Sequence, residues 1–245
     1  MKISIITACL NRASTIGAAL NSVMSQVDAD YELIVIDGQS TDGTMEIVNQ
    51  YVDRIAKIVS EPDTGIYEAI NKGIRLATGE VIGLVHSDDE LTDQYVLRDI
   101  TERMMQTDAD LLYADGLLID DKGHVVRRWR SGRYSKRRVR HGWLPRHTTC
   151  FIRRETYERL GLYDESYHIA ADSDLLVRYL YEHDLRVTYL RRYISRSRMG
   201  GASTDRRMRK MVWKEDIRMY RSHQLPGVAT RLMKVMRKLP QYIHL

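Results

Sequence analysis

An α/β fold, a mostly parallel sheet flanked by helices in the Rossmann manner, is what this sequence predicts, on three observations. Apolar runs at 2–7, 32–37 and 81–85 are continuous rather than alternating, as in strands buried on both faces. Helical patterns stand between them, which argues for parallel strands joined by crossover helices. Polar residues follow the strands, at Thr7, Asp37, Glu61-Pro62-Asp63 and Asp88-Asp89. The carboxyl ends of such strands are where open α/β sheets hold their ligands.

The elements follow in order. The first strand, 2–7, leads to a helix over 14–24, and the second, 32–37, to a helix over 44–51 introduced by Ser40-Thr41-Asp42-Gly43. A strand at 55–59, a helix at 66–77 and the strand 81–85 continue the alternation. Beyond the acids, 95–105 reads as a helix and 110–115 as a short strand, followed by a hairpin-like turn through Asp120-Asp121-Lys122-Gly123. The stretch 127–147 has little periodicity and is expected to form a long loop or flap. A strand at 149–153, helices at 154–160 and 171–182, and a last strand at 186–190 come next. Two basic amphipathic helices, 208–219 and 227–238, end the chain.

Composition narrows the class. A chain of 245 residues with 43% hydrophobic content can bury a full core. Cys9 and Cys150 stand far apart with no paired spacing and read as reduced thiols, which points to the cytosol. The start has no cleavable leader pattern, and no window approaches the ~18 apolar residues of a spanning helix. The net charge of +5 is unevenly placed: Arg127, Arg128, Arg130, Arg133, Lys136, Arg137, Arg138 and Arg140 form one run without an acid, and the region from Arg206 to Lys238 is also basic. A substrate diphosphate, anionic lipid headgroups and nucleic acid are the partners such charge fits, against the alternative of a solvated basic face.

The stretch 81–90 carries the chemistry. A buried strand delivers Asp88 and Asp89 to its carboxyl end, and hard oxygen ligands suit Mg²⁺ or Mn²⁺ bridged to phosphate. The competing reading is that Ser87-Asp88-Asp89 caps the next helix.

Taken together, the motifs resemble a known family. Thr7, Asn11 and Arg12; the run from Glu32 through Asp37 to Asp42 and Thr44; Ser60-Glu61-Pro62-Asp63 with Gly65 and Tyr67; Asn71-Lys72-Gly73; and Ser87-Asp88-Asp89 look like the nucleotide-binding half of family 2 glycosyltransferases of GT-A fold. His147, Phe151 to Arg154, Leu160-Gly161 and Ala171 to Leu175 resemble the acceptor half. The resemblance covers 1–203, with the nucleotide-binding half at 1–90 and the acceptor half at 91–203; 204–245 is read as a basic helical C-terminal extension.

That resemblance implies an inverting transferase that moves a sugar from a nucleotide-diphosphate donor, by default a UDP-sugar, to an acceptor hydroxyl in surface polysaccharide or lipopolysaccharide-type assembly. Thr7, Asn11, Arg12, Asp37, Glu61, Asp63, Gly65, Asn71, Lys72 and Asp88 are its expected nucleotide contacts. Some relatives have an arginine where this chain has Gly65. Asp37 can also serve as a loop cap, and Asp42 reads better as an Asx-turn residue. Asp88 and Asp89 are the expected metal ligands for Mn²⁺ or Mg²⁺, the sequence leaving open which binds the ion. The family's usual first acid is replaced by His86, which reads as a strand-end polar residue rather than a ligand. Asp172 matches the carboxylate that deprotonates the acceptor, a role compatible with capping its own helix. The family often has an acid before it, where this chain has Ala171. His147 and Asp174 are placed near the acceptor or the diphosphate.

Two other functions compete. A sugar-nucleotide nucleotidyltransferase would share the sheet and acids, yet Ala8-Cys9-Leu10-Asn11 is not a glycine-rich phosphate loop. A nucleic-acid-binding protein would suit the basic runs, but no recognition motif accompanies them, and nucleic acid is not an expected partner. The expected partners are a nucleotide-sugar donor and a glycan or lipid-linked acceptor. The expected location is cytoplasmic, with two readings of the last helix. Val228, Leu232, Val235 and Leu239 form an apolar stripe beside Arg231, Lys234, Arg237 and Lys238, which suits either an anionic membrane at the inner face of the plasma membrane or packing on the domain.

Overall fold

The computed structural model describes residues 1–198 and 208–237. Strand β1 (Ile3–Cys9) lies between β2 (Tyr31–Asp37) and β4 (Val81–Leu84), with β3 (Lys57–Ser60) beyond β2, all parallel. Helices α1 (Ile16–Met24), α2 (Thr44–Asn49) and α3 (Ile66–Leu76) make the crossovers. Side chains alternate between two cores. Ile6, Ile34, Ile36, Ile82 and Leu84 join Ile70 and Ile74 of α3, whereas Ile5, Leu33, Val35 and Val81 join Ile16 and Leu20 of α1. Burial on both faces is why these strands read as unbroken apolar runs.

The second half extends the same sheet. It comprises β5 (Asp89–Leu91), α4 (Val96–Thr107), β6 (Leu111–Ile119), β7 (Val125–Trp129), α5 (Lys136–Arg140), β8 (Cys150–Arg153), α6 (Arg154–Leu160), α7 (Ala171–Val177) and β9 (Val187–Arg198). The spatial order is β3-β2-β1-β4-β8-β6-β9-β5, with β7 beside β6. Strand β8 is antiparallel to both β4 and β6 and so joins the two halves. Short β5 pairs antiparallel with the end of β9, which fixes Asp89 opposite Ser197.

Three segments differ from expectation. Within 127–147, residues up to Trp129 belong to β7, and Lys136–Arg140 is helical. Aromatic side chains organise this basic stretch: Arg127 lies over Trp129 and Arg138 over Trp143, at 4.5 and 5.0 Å, and Trp143 Nε1 donates to Ser131 O at 2.7 Å. The last strand continues past 190 because β9 keeps pairing with β6 after register shifts around Asp115 and then receives β5. Helix α7 stops at Val177 and passes into a π-helical turn, Arg178–Glu182.

Helices α8 (Arg209–Ser222) and α9 (Gly227–Met236) close the described chain. At Gly142 (φ +76°) a Cβ would come within 2.6 Å of Thr230 O, so the glycine lets α9 lie against this loop. The apolar stripe of α9 faces outward: Val228, Leu232 and Val235 are 45%, 49% and 39% exposed. Arg231 and Lys234, which the sequence reading sends toward headgroups, instead pair with buried Asp216 at 2.6 and 2.8 Å. Arg206, Lys238, Leu239 and the expected 203–204 junction lie outside the described residues. Among those described, no helix is long and apolar enough to cross a membrane.

Candidate active site

The carboxyl ends of β1, β2 and β3 are tied together by short polar side chains. Asn11 occupies the left-handed region (φ 52°), which asparagine tolerates, and its Oδ1 accepts the Thr41 N–H at 2.9 Å. Ser40 Oγ accepts the Asn11 N–H at 2.8 Å, Thr44 Oγ1 accepts that of Arg12 at 2.7 Å, and Asp42 accepts that of Ala13 at 3.0 Å. Asp42 also accepts the Thr44 N–H, as an Asx-turn does.

Asp37 is the post behind these loops. It is fully buried and accepts from Ser40 N, Ser40 Oγ and Ser60 Oγ at 3.0, 2.5 and 2.7 Å. Burial, then the Asp37 charge, pushes the Cys9 thiol up to about 12. Both cysteines are free and buried.

Lys72 organises the loop after β3. Its Nζ lies 2.6 Å from Asp63, 2.8 Å from Glu61 and 3.1 Å from Glu68, and these partners raise its pKa. Asp63 Oδ2 is buried and, like Thr7 Oγ1, has no hydrogen-bond partner among the described residues. Buried polar atoms are normally paired, so unpaired ones on the strand-end side are candidates for ligand contact. A Cβ at Gly65 would meet nothing within 4 Å, which leaves the start of α3 open. Asn71 is engaged elsewhere: its Nδ2 donates to Tyr163 O and Glu165 at 2.9 and 2.7 Å, and its Oδ1 accepts the Tyr163 N–H.

The end of β4 meets the second half of the chain. Asp88 is half-buried, and its side chain has no hydrogen bond or ion pair with a described residue. Asp89 is buried and accepts from Ser197 Oγ. Arg146 is held nearby, its Nε donating to Thr148 Oγ1 at 2.8 Å; burial lowers its pKa, and the charges of Asp89 and Asp88 oppose that. Gly116 gives Arg146 room, since a Cβ there would lie 2.9 Å from Arg146 Cδ. Arg146 escapes the sequence reading, its signal being only that it precedes His147 in a basic loop.

His86 connects the acids to Asp172. Its ring is buried, with Nδ1 unpaired among the described residues, and lies 5.6 Å from the His147 ring. Burial, aided by His147, lowers its pKa and keeps it neutral. His147 Nδ1 in turn sits 3.0 Å from Asp172 Oδ2. Burial alone would raise the Asp172 carboxyl, but His147, Lys234 and the Ser173 N–H bring it down to about 2, so it is ionised at neutral pH. Asp174 is not brought to this place. Two residues on along a helix, it faces away from Asp172 and pairs with His223 Nε2 at 2.9 Å.

No cluster of three or more His, Cys, Asp or Glu side chains suited to a metal occurs among the described residues. A Mg²⁺-type ion is usually held by one or two carboxylates and the substrate's phosphates, and the Asp88 carboxylate oxygens, unpaired among the described residues and beside Asp89, fit that donor set.

The chain matches the profile of Glycosyl transferase family 2 over residues 4–161. It belongs to that family. A relative, the PGL/p-HBAD biosynthesis glycosyltransferase of Mycobacterium tuberculosis, is 31% identical over 179 residues, covering 71% of this chain and 68% of the relative. Among solved structures, S. aureus TarS 1–349 in complex with UDP-GlcNAc matches with a TM-score of 0.69 and 17% identity, over 99% of this chain and 79% of that one. In a further TarS 1–349 structure this chain spans 64% of the matched chain. The mannosyltransferase PcManGT of Pyrobaculum calidifontis, in complex with GDP-Man and Mn²⁺, matches with a TM-score of 0.65 and 16% identity, over 90% and 63% of the two chains. At these identities the structures speak for the fold, which is the GT-A fold that the family resemblance implies.

Proposed function

We propose that this protein is an inverting, metal-dependent glycosyltransferase that moves a sugar from a nucleotide-diphosphate donor, by default a UDP-sugar, to a hydroxyl of a surface-glycan or lipid-linked acceptor. The observation that carries this reading is the sequence of contacts from the acids to the base. Asp172, ionised and 3.0 Å from His147, reaches through the 5.6 Å ring contact of His147 with His86 to the strand end that bears Asp88 and Asp89. Family membership and the donor complexes of structural neighbours support it.

The residues divide the work. Thr7 and Asp63 offer unpaired polar atoms to the nucleoside; Asn11, Arg12, Glu61, Gly65 and Lys72 shape the loops around it, and Asp37 and Asn71 brace those loops from behind. Asp88, with Asp89 behind it, would hold a Mn²⁺ or Mg²⁺ ion, whose charge would neutralise the departing diphosphate. Arg146 balances the charge of the two acids. Asp172 takes the proton of the acceptor hydroxyl as its oxygen attacks the anomeric carbon from the face opposite the diphosphate, so the configuration inverts. His147 orients that carboxylate and keeps it ionised. Asp174 supports α8 and has no part in the chemistry.

In this reading 1–90 forms the donor half, 91–203 the acceptor half and 204–245 a helical extension. The exposed stripe of α9 suits the anionic inner face of the plasma membrane, where a lipid-linked acceptor would be presented. A panel of UDP-, GDP- and dTDP-sugars tests the reading: transfer or slow hydrolysis of one donor, stimulated by Mn²⁺, supports it. Stabilisation by a nucleoside triphosphate with a sugar phosphate, without donor turnover, favours a nucleotidyltransferase instead.

A further inference from the structure

Glu215 lies on α8, outside the family match that ends at residue 161, yet it reaches the segment that carries Asp172. It is only 8% exposed. Its Oε1 accepts the His168 N–H at 2.9 Å, and its Oε2 accepts those of Ile169 and Ala170 at 2.8 and 3.0 Å. These three consecutive N–H groups lead into α7, whose second residue is Asp172. A carboxylate from another helix thus accepts, on its two oxygens, the N–H groups of the three residues that lead into α7, its N-cap Ala170 included.

The same segment is held from two other directions. Tyr67 Oη, on α3 in the donor half, donates to Ile169 O at 2.6 Å. Lys234 Nζ of α9 lies 3.2 Å from Ser173 Oγ and 2.8 Å from Asp216, the neighbour of Glu215. The chain is thus anchored on both sides of Asp172 by the C-terminal helices, through backbone N–H groups on the amino side and through the Ser173 hydroxyl on the other, and on the amino side also by α3. Among these contacts the Glu215 anchor engages three successive peptide groups.

We infer that Glu215 is a positioning residue for Asp172: it fixes the backbone from which the base projects, and so makes α8 part of the active-site framework. The inference rests on the reading of Asp172 as the base. Misplacement of a reacting group by about 1 Å costs on the order of 10²-fold in rate, so loss of these three hydrogen bonds is expected to act on turnover rather than on donor binding.

The test uses the full-length protein, with transfer normalised to nucleoside-diphosphate binding sites so that unfolded molecules do not count. Glu215→Ala should lower kcat by roughly 10–100-fold and leave nucleoside-diphosphate affinity within about twofold. Glu215→Gln, which keeps one acceptor oxygen, should recover most of the loss. In an Asp172→Asn background, Glu215→Ala should cost nothing further, because a residue that acts through the base has nothing left to position. Tyr67→Phe, which removes a single hydrogen bond while keeping the ring, should show a smaller kcat loss with the same non-additivity, and it reports on the segment if Glu215→Ala fails to fold. Unchanged kcat in the Glu215 variants that fold and in Tyr67→Phe, or losses that persist in full in the Asp172→Asn background, would overturn the inference while leaving the base intact. Near wild-type transfer by Asp172→Asn alone would remove the base, and the positioning role with it.

Discussion

His147 Nδ1 lies 3.0 Å from Asp172 Oδ2, and this contact helps hold ionised the group that we assign as the base. Burial works against the charged form, and His147 opposes it most, with Lys234 and the Ser173 N–H beside it. In the proposed mechanism the pairing makes His147 a positioning residue for Asp172.

His147→Gln should move the acid limb of the kcat/KM profile upward. The sign follows from the pair: His147, with Lys234 and the Ser173 N–H, depresses the Asp172 pKa to about 2, and loss of His147 leaves burial less opposed, so the ionised base appears only at higher pH. A rise of about 1–3 units is the expected scale. Profiles of wild type and variant across roughly pH 4–8 check it, and superimposable acid limbs would contradict it.

Asp88→Ala and Asp89→Ala should each lose the Mn²⁺-dependent part of nucleoside-diphosphate affinity. Among the described residues the Asp88 carboxylate oxygens have no hydrogen-bond or ion-pair partner, whereas Asp89 is tied to Ser197, so the larger loss is expected at Asp88. Calorimetric titration with and without metal separates this from a capping role, in which both variants would bind as wild type does.

Acid stability should depend on Glu32. Burial would raise its carboxyl, but Ser4, Thr78 and Lys2 bring it from 4.5 down to about 2 in the folded protein. A depressed folded pKa contributes stability above the unfolded value, and that contribution is lost as pH falls toward 2. The shift corresponds to roughly 3 kcal/mol at neutral pH. Denaturation of Glu32→Gln should show a lower stability at pH 7 and a flatter fall between about pH 5 and 2; parallel curves would argue against it.

The outward stripe of α9 yields a flotation test. Leu232→Ser with Val235→Ser should weaken salt-sensitive binding to anionic vesicles and leave transfer to a soluble acceptor unchanged, since neither side chain points inward. Equal binding by wild type and variant, or binding by neither, would remove the membrane from the reading.

Much of the fold is legible in the sequence because strands buried on both faces are unbroken apolar runs, and because Asp37 ends one of them, β2, and Asp88-Asp89 follow another, β4. What stays hidden depends on tertiary contacts. Asp174 looks like a second site acid, but its helical offset from Asp172 turns it toward His223. Arg146 sits in a stretch without periodicity, and only the close approach over Gly116 brings its charge to the acids. Helix α9 is plainly amphipathic, yet the buried Asp216 draws in Arg231 and Lys234 and leaves the apolar stripe outside, the reverse of what hydropathy alone suggests. Glu215 carries no motif at all.

The most direct measurement is sugar transfer by Asp172→Asn alongside its nucleoside-diphosphate affinity. The substitution keeps the size of the side chain and removes its ability to take a proton. We expect transfer to fall by ~10²–10⁴-fold with affinity unchanged, because a general base contributes on that scale and does not hold the donor. Transfer at near the wild-type rate would contradict the assignment of Asp172 as the base.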